Sequence, residues 1–437
     1  IAVPDIDRTD YLLMLGANPK VSNGSLATAP DWPGRLERIK ERRGRVVVVD
    51  PRRSKTADLG DEHVYIRPGT DALWLAALCN VVVDYDLMAL GRLTDHVSGI
   101  DEAALAVAPF TPEAVAPVCG IDPAVTRRIA REFAMAESAV AYGRIGIHTT
   151  EFGTVASWLV DLFNALTGNL DRPGGAMFPQ AATERPKSRR GFTTGRWRSR
   201  VEGHPEVRGE LPVATLATEI ETAGPQQVRA LITVAGNPVL STPDGNRVDR
   251  ALASLEFMVS VDIYLNESSR HADVILPAPS PLERGHYDLA FTSLGVRNVA
   301  NYSPPVLPAE AADTPDEWEI LLRLSAIVAG MPPDVDIGPL DDAVLMTLIA
   351  GAVADDSSVV AGRDPSELFA ATDGDRGPHR ILDFLLRSGP YGEGFGAGSG
   401  LSLERLRTEP HGVDLGALEP RIPEIITTPS GRVELAP

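Results

Sequence analysis

The amino-acid sequence predicts an α/β fold with two pseudo-symmetric Rossmann-like domains and mainly parallel sheets. Three observations support this fold class. Apolar runs of four to six residues alternate with longer helical patterns, as in βαβ units. The chain has 437 residues, more than a single hydrophobic core usually serves, so at least two domains are expected. Finally, one strand–turn–strand pattern occurs twice along the chain.

The predicted elements follow from these runs. Short apolar segments predict strands over residues 11–15, 45–49, 64–66, 139–142, 230–234, 257–261 and 274–276. Helical periodicity predicts helices over residues 71–83, 123–136, 154–166, 315–329 and 380–386. Thr70 is the expected N-cap of the first helix.

Charge and cysteine content exclude several classes of protein. Acidic residues outnumber basic ones 60 to 41, for a net charge of −19, which argues against nucleic acid or an anionic membrane as the main partner. Cys79 and Cys119 are isolated, so they cannot build a disulfide scaffold, a zinc site or an iron–sulfur ligand set. No apolar run reaches the ~18 residues that a membrane span needs, and no signal peptide is visible. A cytoplasmic location is the resulting expectation.

The internal repeat is the most informative feature. In each copy a first strand ends in Asn-Pro, at Asn18 and at Asn237, and a second strand ends in an aspartate, Asp50 or Asp262. Counted from that aspartate, each copy has a hydroxyl side chain six residues on, an aspartate eleven residues on and an acid twenty-one residues on. The matched positions are Thr56 and Ser268, Asp61 and Asp273, and Asp71 and Glu283.

This pattern is typical of a nucleotide site. In a doubly wound sheet, ligands bind beyond the carboxyl ends of the strands, where loops and helix N-termini present N–H groups. An Asn side chain there can donate to a phosphate, and a strand-ending aspartate can accept from ribose hydroxyls or from the guanine edge. Neither copy has Gly-x-Gly-x-x-Gly, which disfavours nicotinamide or flavin. The alternative is purely structural, with Asn-Pro as a turn and the aspartate as a helix cap.

With further segments, these residues resemble the central part of the molybdopterin oxidoreductases, the dimethyl sulfoxide reductase family. Formate dehydrogenases and nitrate reductases are members of this family. The matching segments run nearly end to end and in consistent order: 16–19, 49–57, 67–73, 143–148, 166–175, 235–238, 272–277 and 428–435.

The resemblance implies a bis-pyranopterin guanine dinucleotide cofactor that binds molybdenum or tungsten. By matching positions, one dinucleotide would be held by Gly16, Asn18, Asp50, Arg52, Gly69 and Asp71. The other would be held by Gly236, Asn237, Asp262, Ser268 and Asp273. Gly143, Gly146, His148 and Thr149 would lie near the pterin and the metal. For His148 two roles remain open: a hydrogen bond to pterin or substrate, or a structural histidine.

The resemblance also divides the chain. Residues 1–182 and 211–427 are predicted to be the two dinucleotide-binding domains, and 428–437 the entry to a C-terminal barrel domain. Residues 183–210 are rich in arginine and lack apolar periodicity, which indicates an exposed linker or, alternatively, an anion-attracting rim.

Several parts of the family pattern are absent from this sequence. The metal ligand and the cysteine cluster for a 4Fe-4S centre are expected upstream of Ile1, so the fragment alone is expected to be inactive. The stretch 175–182 has no arginine of the kind that binds formate in formate dehydrogenases, which disfavours formate as substrate. The implied activity is two-electron oxygen-atom or hydride transfer on a small substrate, with electrons passing to a carrier protein or subunit. The alternatives are a non-catalytic scaffold subunit, or a thiamine-diphosphate or nicotinamide enzyme.

Overall fold

The computed structural model describes residues 1–24, 26–184, 193–308, 314–396 and 398–437. The strands are β1 Val3–Pro4, β2 Tyr11–Leu15, β3 Arg45–Val49, β4 Glu62–Val64, β5 Val97–Ser98, β6 Ala139–Gly143, β7 Ala176–Met177, β8 Thr194–Arg198, β9 Pro205–Val207, β10 Ala230–Val234, β11 Phe257–Val261, β12 Val274–Ile275, β13 His286–Tyr287, β14 Asn298–Ala300, β15 Tyr302–Ser303, β16 Val413–Gly416 and β17 Val433–Glu434. The helices are α1 Pro19–Ser22, α2 Trp32–Glu41, α3 Asp71–Asp84, α4 Ile100–Val107, α5 Pro112–Cys119, α6 Pro123–Met135, α7 Ile145–His148, α8 Gly153–Leu166, α9 Leu216–Glu221, α10 Pro238–Ser241, α11 Gly245–Leu252, α12 Glu317–Val328, α13 Gly338–Val353, α14 Pro365–Ala371, α15 Pro378–Ser388 and α16 Leu403–Thr408.

The first half is built on a four-stranded parallel sheet in the order β4-β3-β2-β6. Every residue of β2 is buried, as is each valine of β3. Helices pack on the sheet and leave neither face of these two strands in water. Helix α2 contacts β3, while α6 and α8 contact β6. This burial confirms the prediction, made from their continuous apolar runs, that both segments are strands of a parallel sheet.

The second half contains a smaller parallel sheet in the order β10-β11-β12. Its pairing register repeats that of the first sheet: Val259 pairs with Val274, as Val47 pairs with Glu62, fifteen residues apart in both copies. The sheet differs in size, because the described residues place no strand beside β10 where β6 lies in the first half. Ile232 and Val234 consequently remain 45% and 46% exposed.

The rest of the second half is helical. Helices α13, α14 and α15 share a small core that includes Leu345, Ile349 and Phe384. The chain returns to the first half before residue 427, the predicted end of the second domain. Leu418 and Ile422 lie in the core of the first half, and β17 pairs with β5 there.

Two local predictions are corrected by the structure. The predicted strand 64–66 lies over Glu62–Val64 instead, since the register pairs β4 with β3 at these residues. The predicted linker contains a β-hairpin, β8 with β9, although its residues 185–192 lie outside the described part. The hairpin lacks apolar alternation because its buried side chain is charged: Glu206 accepts hydrogen bonds from the Arg196 guanidinium, the closer at 2.6 Å.

Helix α3 begins where the sequence predicts, but without the expected cap. The Thr70 hydroxyl donates to the Arg67 carbonyl at 2.7 Å and makes no capping bond to the helix. Among the described residues, no helix is both long and apolar enough to cross a lipid bilayer.

Candidate functional site

The two Asn-Pro turns have the same hydrogen-bond framework. In the first half the Thr56 hydroxyl donates to Asn18 Oδ1 at 2.7 Å and accepts from the Lys20 N–H at 3.1 Å. In the second half the Ser268 hydroxyl donates to Asn237 Oδ1 at 2.7 Å and accepts from the Val239 N–H at 3.0 Å. Thr56 and Ser268 are both fully buried. The offset of six residues from the strand-ending aspartate therefore marks equivalent positions.

The second offset also marks equivalent positions, but at the opposite edge of each sheet. Asp61 Oδ2 accepts from the Val46 N–H at 2.7 Å, and Asp273 Oδ2 accepts from the Met258 N–H at 2.8 Å. Val46 and Met258 are second residues of their strands, so these carboxylates lie near the amino ends. The structure thus does not bring Asp273 to the carboxyl edge with the other predicted site residues. Its carboxylate is used to hold β12 against β11.

The third offset does not mark equivalent positions. Asp71 is the first residue of α3, whereas Glu283 Oε2 accepts from the Ser280 N–H in a turn. The two acids share only their distance in sequence from Asp50 and Asp262.

The strand-ending aspartates lie at the carboxyl edges, as predicted. Asp50 Oδ1 accepts from the Arg52 N–H at 2.8 Å, and Asp262 Oδ1 accepts from the Tyr264 N–H at 2.9 Å. Each carboxylate thus fixes the first turn of the loop that follows its own strand. The Arg52 side chain is exposed and has no partner among the described residues.

Asp71 joins this edge from the start of α3. Its carboxyl is 4% exposed, and desolvation raises its pKa to about 6, with the negative charge of Asp50 acting in the same direction. The hydrogen bond to its own N–H opposes this shift. Gly69, two residues earlier, is exposed with φ +79°, and no atom lies within 4 Å of the position that a Cβ would take. The edge is therefore open beside a carboxyl that is unusually easy to protonate.

The loops after β2 and β6 touch through glycine. The Gly146 N–H donates to the Gly16 carbonyl at 3.1 Å, and a Cβ on Gly16 would lie 2.8 Å from Gly146 Cα. Gly16 also has φ +54°, where a side chain is strained. In the second half Ala235 takes the place of Gly16, with φ +48°, and Gly236 has no close neighbour.

The loop after β6 borders a cavity of about 390 Å³. Gly143, Arg144 and His148 line it, together with Asp161 from α8. Burial lowers the pKa of His148, and the Arg144 charge lowers it further, so the imidazole is neutral at pH 7. Thr149 does not line the cavity, since its hydroxyl donates to the Ile145 carbonyl at 2.8 Å.

Two residues of this cavity were missed by sequence reasoning. The Nε of Arg144 is buried without a hydrogen-bond partner among the described residues. Desolvation raises the pKa of Asp161 to about 6. Arg144 lies inside a matching segment, and Asp161 is the one charged residue of α8, which is a usable signal. No cluster of three or more metal-ligating side chains occurs in the part of the chain that the structure describes.

A comparison with protein families decides the classification of the chain. The model of the family named molybdopterin oxidoreductase matches residues 1–325. The chain belongs to the molybdopterin oxidoreductase family. Membership implies a molybdopterin cofactor with molybdenum or tungsten, and the matched range includes every residue of the candidate site described above.

Curated relatives place the chain within this family. It is 25% identical over 338 residues to the F420-dependent formate dehydrogenase subunit alpha of Methanocaldococcus jannaschii, covering 74% of this chain and 48% of that relative. It is 24% identical over 340 residues to the assimilatory nitrate reductase catalytic subunit of Bacillus subtilis, covering 74% and 46%. The chain thus spans about half the length of these relatives, or less.

A solved structure supports the fold. Acetylene hydratase from Pelobacter acetylenicus superposes with a TM-score of 0.69 at 17% sequence identity, covering 100% of this chain and 56% of that protein. At this identity the similarity concerns the fold alone. It agrees with the mainly parallel α/β architecture predicted from the sequence.

Proposed function

We propose that this chain is the cofactor-binding core of a molybdenum or tungsten oxidoreductase that holds a bis-pyranopterin guanine dinucleotide. The observation that carries the proposal is the duplicated framework in which Thr56 holds Asn18 and Ser268 holds Asn237. A cofactor with two equivalent dinucleotide arms needs two equivalent sites, and one sequence pattern builds both.

The first half fits a dinucleotide because it has hydrogen-bond donors and acceptors available for a ligand. Asn18 Nδ2 and Asp50 Oδ2 have no partner among the described residues, although the other polar atom of each side chain is fixed. The amide nitrogen can donate to a phosphate, and the carboxylate can accept from a ribose hydroxyl or the guanine edge. Arg52, Gly69 and Asp71 complete this edge as proposed ligands.

The second half supplies Gly236, Asn237, Asp262 and Ser268 to the other dinucleotide. Asp273 is left out of this set, because its carboxylate serves the amino end of β11. Ser268 acts as a positioning residue, since it is fully buried and its hydroxyl donates to Asn237 Oδ1 and accepts from the Val239 N–H.

The loop after β6 is proposed to border the pterins. Gly16 and Gly146 have no side chains, so a ligand can approach the main chain of these loops closely, as in other glycine-lined loops. His148 is neutral at pH 7 and can donate from one ring nitrogen and accept at the other. It is therefore suited to a hydrogen bond with a pterin or a substrate.

When bound, the metal and its pterins would supply two-electron oxygen-atom or hydride transfer on a small substrate. The protein's part is to position the cofactor and to exclude water from it. An electron-carrier protein or subunit is the proposed partner, and a 4Fe-4S cluster would belong to the whole protein outside this chain. A family fold retained as a non-catalytic scaffold is the competing function.

The test is metal analysis and pterin fluorescence of the natively produced, active, full-length protein. We expect molybdenum or tungsten together with an oxidised-pterin fluorescence after acid release. Active protein that contains neither metal nor pterin would overturn the proposal. Purified protein that holds the pterins but has no redox activity with any electron acceptor would favour the scaffold.

A further inference from the structure

The two halves share a framework but differ in the residues that the framework displays. In the first half the residue two positions after Asp50 is Arg52, and in the second half the residue two positions after Asp262 is Tyr264. Their N–H groups donate to the aspartate Oδ1 at 2.8 and 2.9 Å, so Arg52 and Tyr264 occupy equivalent places. A cationic side chain in one half is thus replaced by an aromatic ring in the other.

The loop after β11 is unusually exposed for an apolar segment. Ile263, Tyr264 and Leu265 follow one another and are 45%, 69% and 78% exposed. Three consecutive large apolar side chains in water indicate a surface that a ligand covers. In the first half the corresponding residues are Pro51, Arg52 and Arg53, of which Arg53 pairs with Asp58 at 2.7 Å.

Asn18 and Asn237 also differ in how well each could bind a phosphate. Asn18 keeps its amide nitrogen free, whereas Asn237 Nδ2 donates to Glu267 Oε2 at 2.8 Å. Glu267 stands five residues after Asp262, at the place of Lys55 in the first half, so the charge at this position is reversed. The hydrogen bond from Asn237 lowers the pKa of Glu267, which keeps the carboxylate charged. A phosphate beside Asn237 would meet the negative charge of Glu267.

The aspartates complete the contrast. Asp50 has a free oxygen, while Asp262 Oδ2 accepts from Asn266 Nδ2 at 3.0 Å. In the second half Asn237 Nδ2 and Asp262 Oδ2 thus each have a partner within the same loop region, and the loop adds an apolar surface that the first half lacks.

We infer that the two halves bind their dinucleotides by different physical means: Arg52 and Asn18 hold phosphate in the first half, and Tyr264 stacks on a nucleobase in the second. The inference rests on the proposed function, since it assigns the two arms of one double cofactor. Stacking on an aromatic ring is insensitive to salt, whereas contact between a phosphate and an exposed arginine is screened by it. Glu267 selects against phosphate beside Asn237, because like charges repel.

Guanosine and GDP separate the two modes, since only GDP carries phosphate. Their binding is measured by calorimetry on full-length protein produced in cells that cannot make molybdopterin, at low and at high salt. Tyr264→Ala should weaken guanosine binding about tenfold at both salt concentrations, and Tyr264→Phe should retain it, because stacking needs the ring and not the hydroxyl. Arg52→Ala should weaken GDP binding and reduce its salt dependence. Arg53→Ala is the matched control, since Asp58 already neutralises that charge.

A further variant tests the role of Glu267 in the absence of the first-half arginine. In an Arg52→Ala background, Glu267→Gln should tighten GDP binding severalfold and leave guanosine binding unchanged. Guanosine affinity that is unaffected by Tyr264→Ala would overturn the inference, as would wild-type protein that does not bind guanosine. The proposed function fails separately, when natively produced active protein lacks metal and pterin.

Discussion

Gly16 and Gly146 pack backbone against backbone across the ends of two adjacent parallel strands. A Cβ on either glycine would lie 2.8 Å from the other's Cα, closer than carbon atoms that are not bonded to each other approach in proteins. The contact is reinforced by the hydrogen bond from the Gly146 N–H to the Gly16 carbonyl. It fixes the two loops that the proposed site depends on.

Replacement of Gly16 by alanine should therefore destabilise the protein by about 2–4 kcal/mol, from overpacking and from strain at φ +54°. The matched change is Ala235→Gly, at the equivalent place in the second half, where φ is +48° and the neighbourhood is open. It should stabilise by about 0.5–1 kcal/mol. Thermal unfolding measures both. A cost of Gly16→Ala no larger than the gain from Ala235→Gly would mean that backbone strain accounts for the whole effect and that the glycine contact has no structural role.

Asp71→Asn should make stability less dependent on pH. The folded protein raises the pKa of Asp71 from 3.8 to about 6, so it binds this proton more tightly than the unfolded chain does. Stability is therefore lost as the pH rises from about 4 to about 6, and the loss is complete above that range. The amide should raise the free energy of unfolding by about 1–3 kcal/mol at pH 8 and change it little at pH 4.

The unfolding midpoint of wild type and Asp71→Asn across this pH range checks the prediction. Asp58→Asn is a suitable control, because Asp58 is exposed and, among the described residues, its carboxylate pairs only with Arg53. A stabilisation by Asp71→Asn that is equal at pH 4 and pH 8 would contradict the burial argument.

The two hydroxyls of the duplicated framework should be equivalent in energy. Thr56→Val removes the bond to Asn18 and leaves the Lys20 N–H without its acceptor, at a cost of about 1–3 kcal/mol. Ser268→Ala should cost a similar amount by the same mechanism. Thr56→Ser keeps the hydroxyl and should cost far less than Thr56→Val. Denaturant unfolding provides the comparison, and a neutral Thr56→Val would argue that the framework is incidental.

Asp171 should anchor the segment around Arg421 and Ile422 to the first half. Its fully buried carboxylate forms an ion pair with Arg92 and accepts from the N–H groups of Arg421 and Ile422, the latter at 2.7 Å. Asp171→Ala leaves these donors unpaired and should cost about 3–5 kcal/mol. It should also speed hydrogen exchange at the amides of Arg421 and Ile422.

The neighbouring Arg172→Ala is the control for that experiment. Its guanidinium is exposed and, within the described part of the chain, bonds only to the Glu137 carbonyl, so its removal should leave both amides protected. Unchanged exchange in Asp171→Ala would mean that the segment is held by apolar packing alone.

Much of the fold and of the site follows from local pattern. Strands β2, β3 and β11 have the predicted bounds, since buried parallel strands read as continuous apolar runs, and β10 has them too although one side of it is exposed. Thr56 and Ser268 were paired by spacing alone, because a repeated framework keeps its offsets.

The remainder depends on contacts between residues distant in sequence. Spacing cannot tell which edge of a sheet a side chain reaches, so it does not show that the Asp273 carboxylate lies at the amino end of β11. The β8–β9 hairpin is held by a buried charge and not by apolar alternation. The return of Ile422 to the first core depends on Asp171, about 250 residues away, and local pattern does not encode it.

The central claim is that two matched halves hold one double cofactor. The most direct measurement is the amount of guanine nucleotide and of metal released by acid from natively produced, active, full-length protein. The account predicts one guanine nucleotide for each half, together with molybdenum or tungsten. Active protein that releases neither guanine nucleotide nor either metal would contradict it.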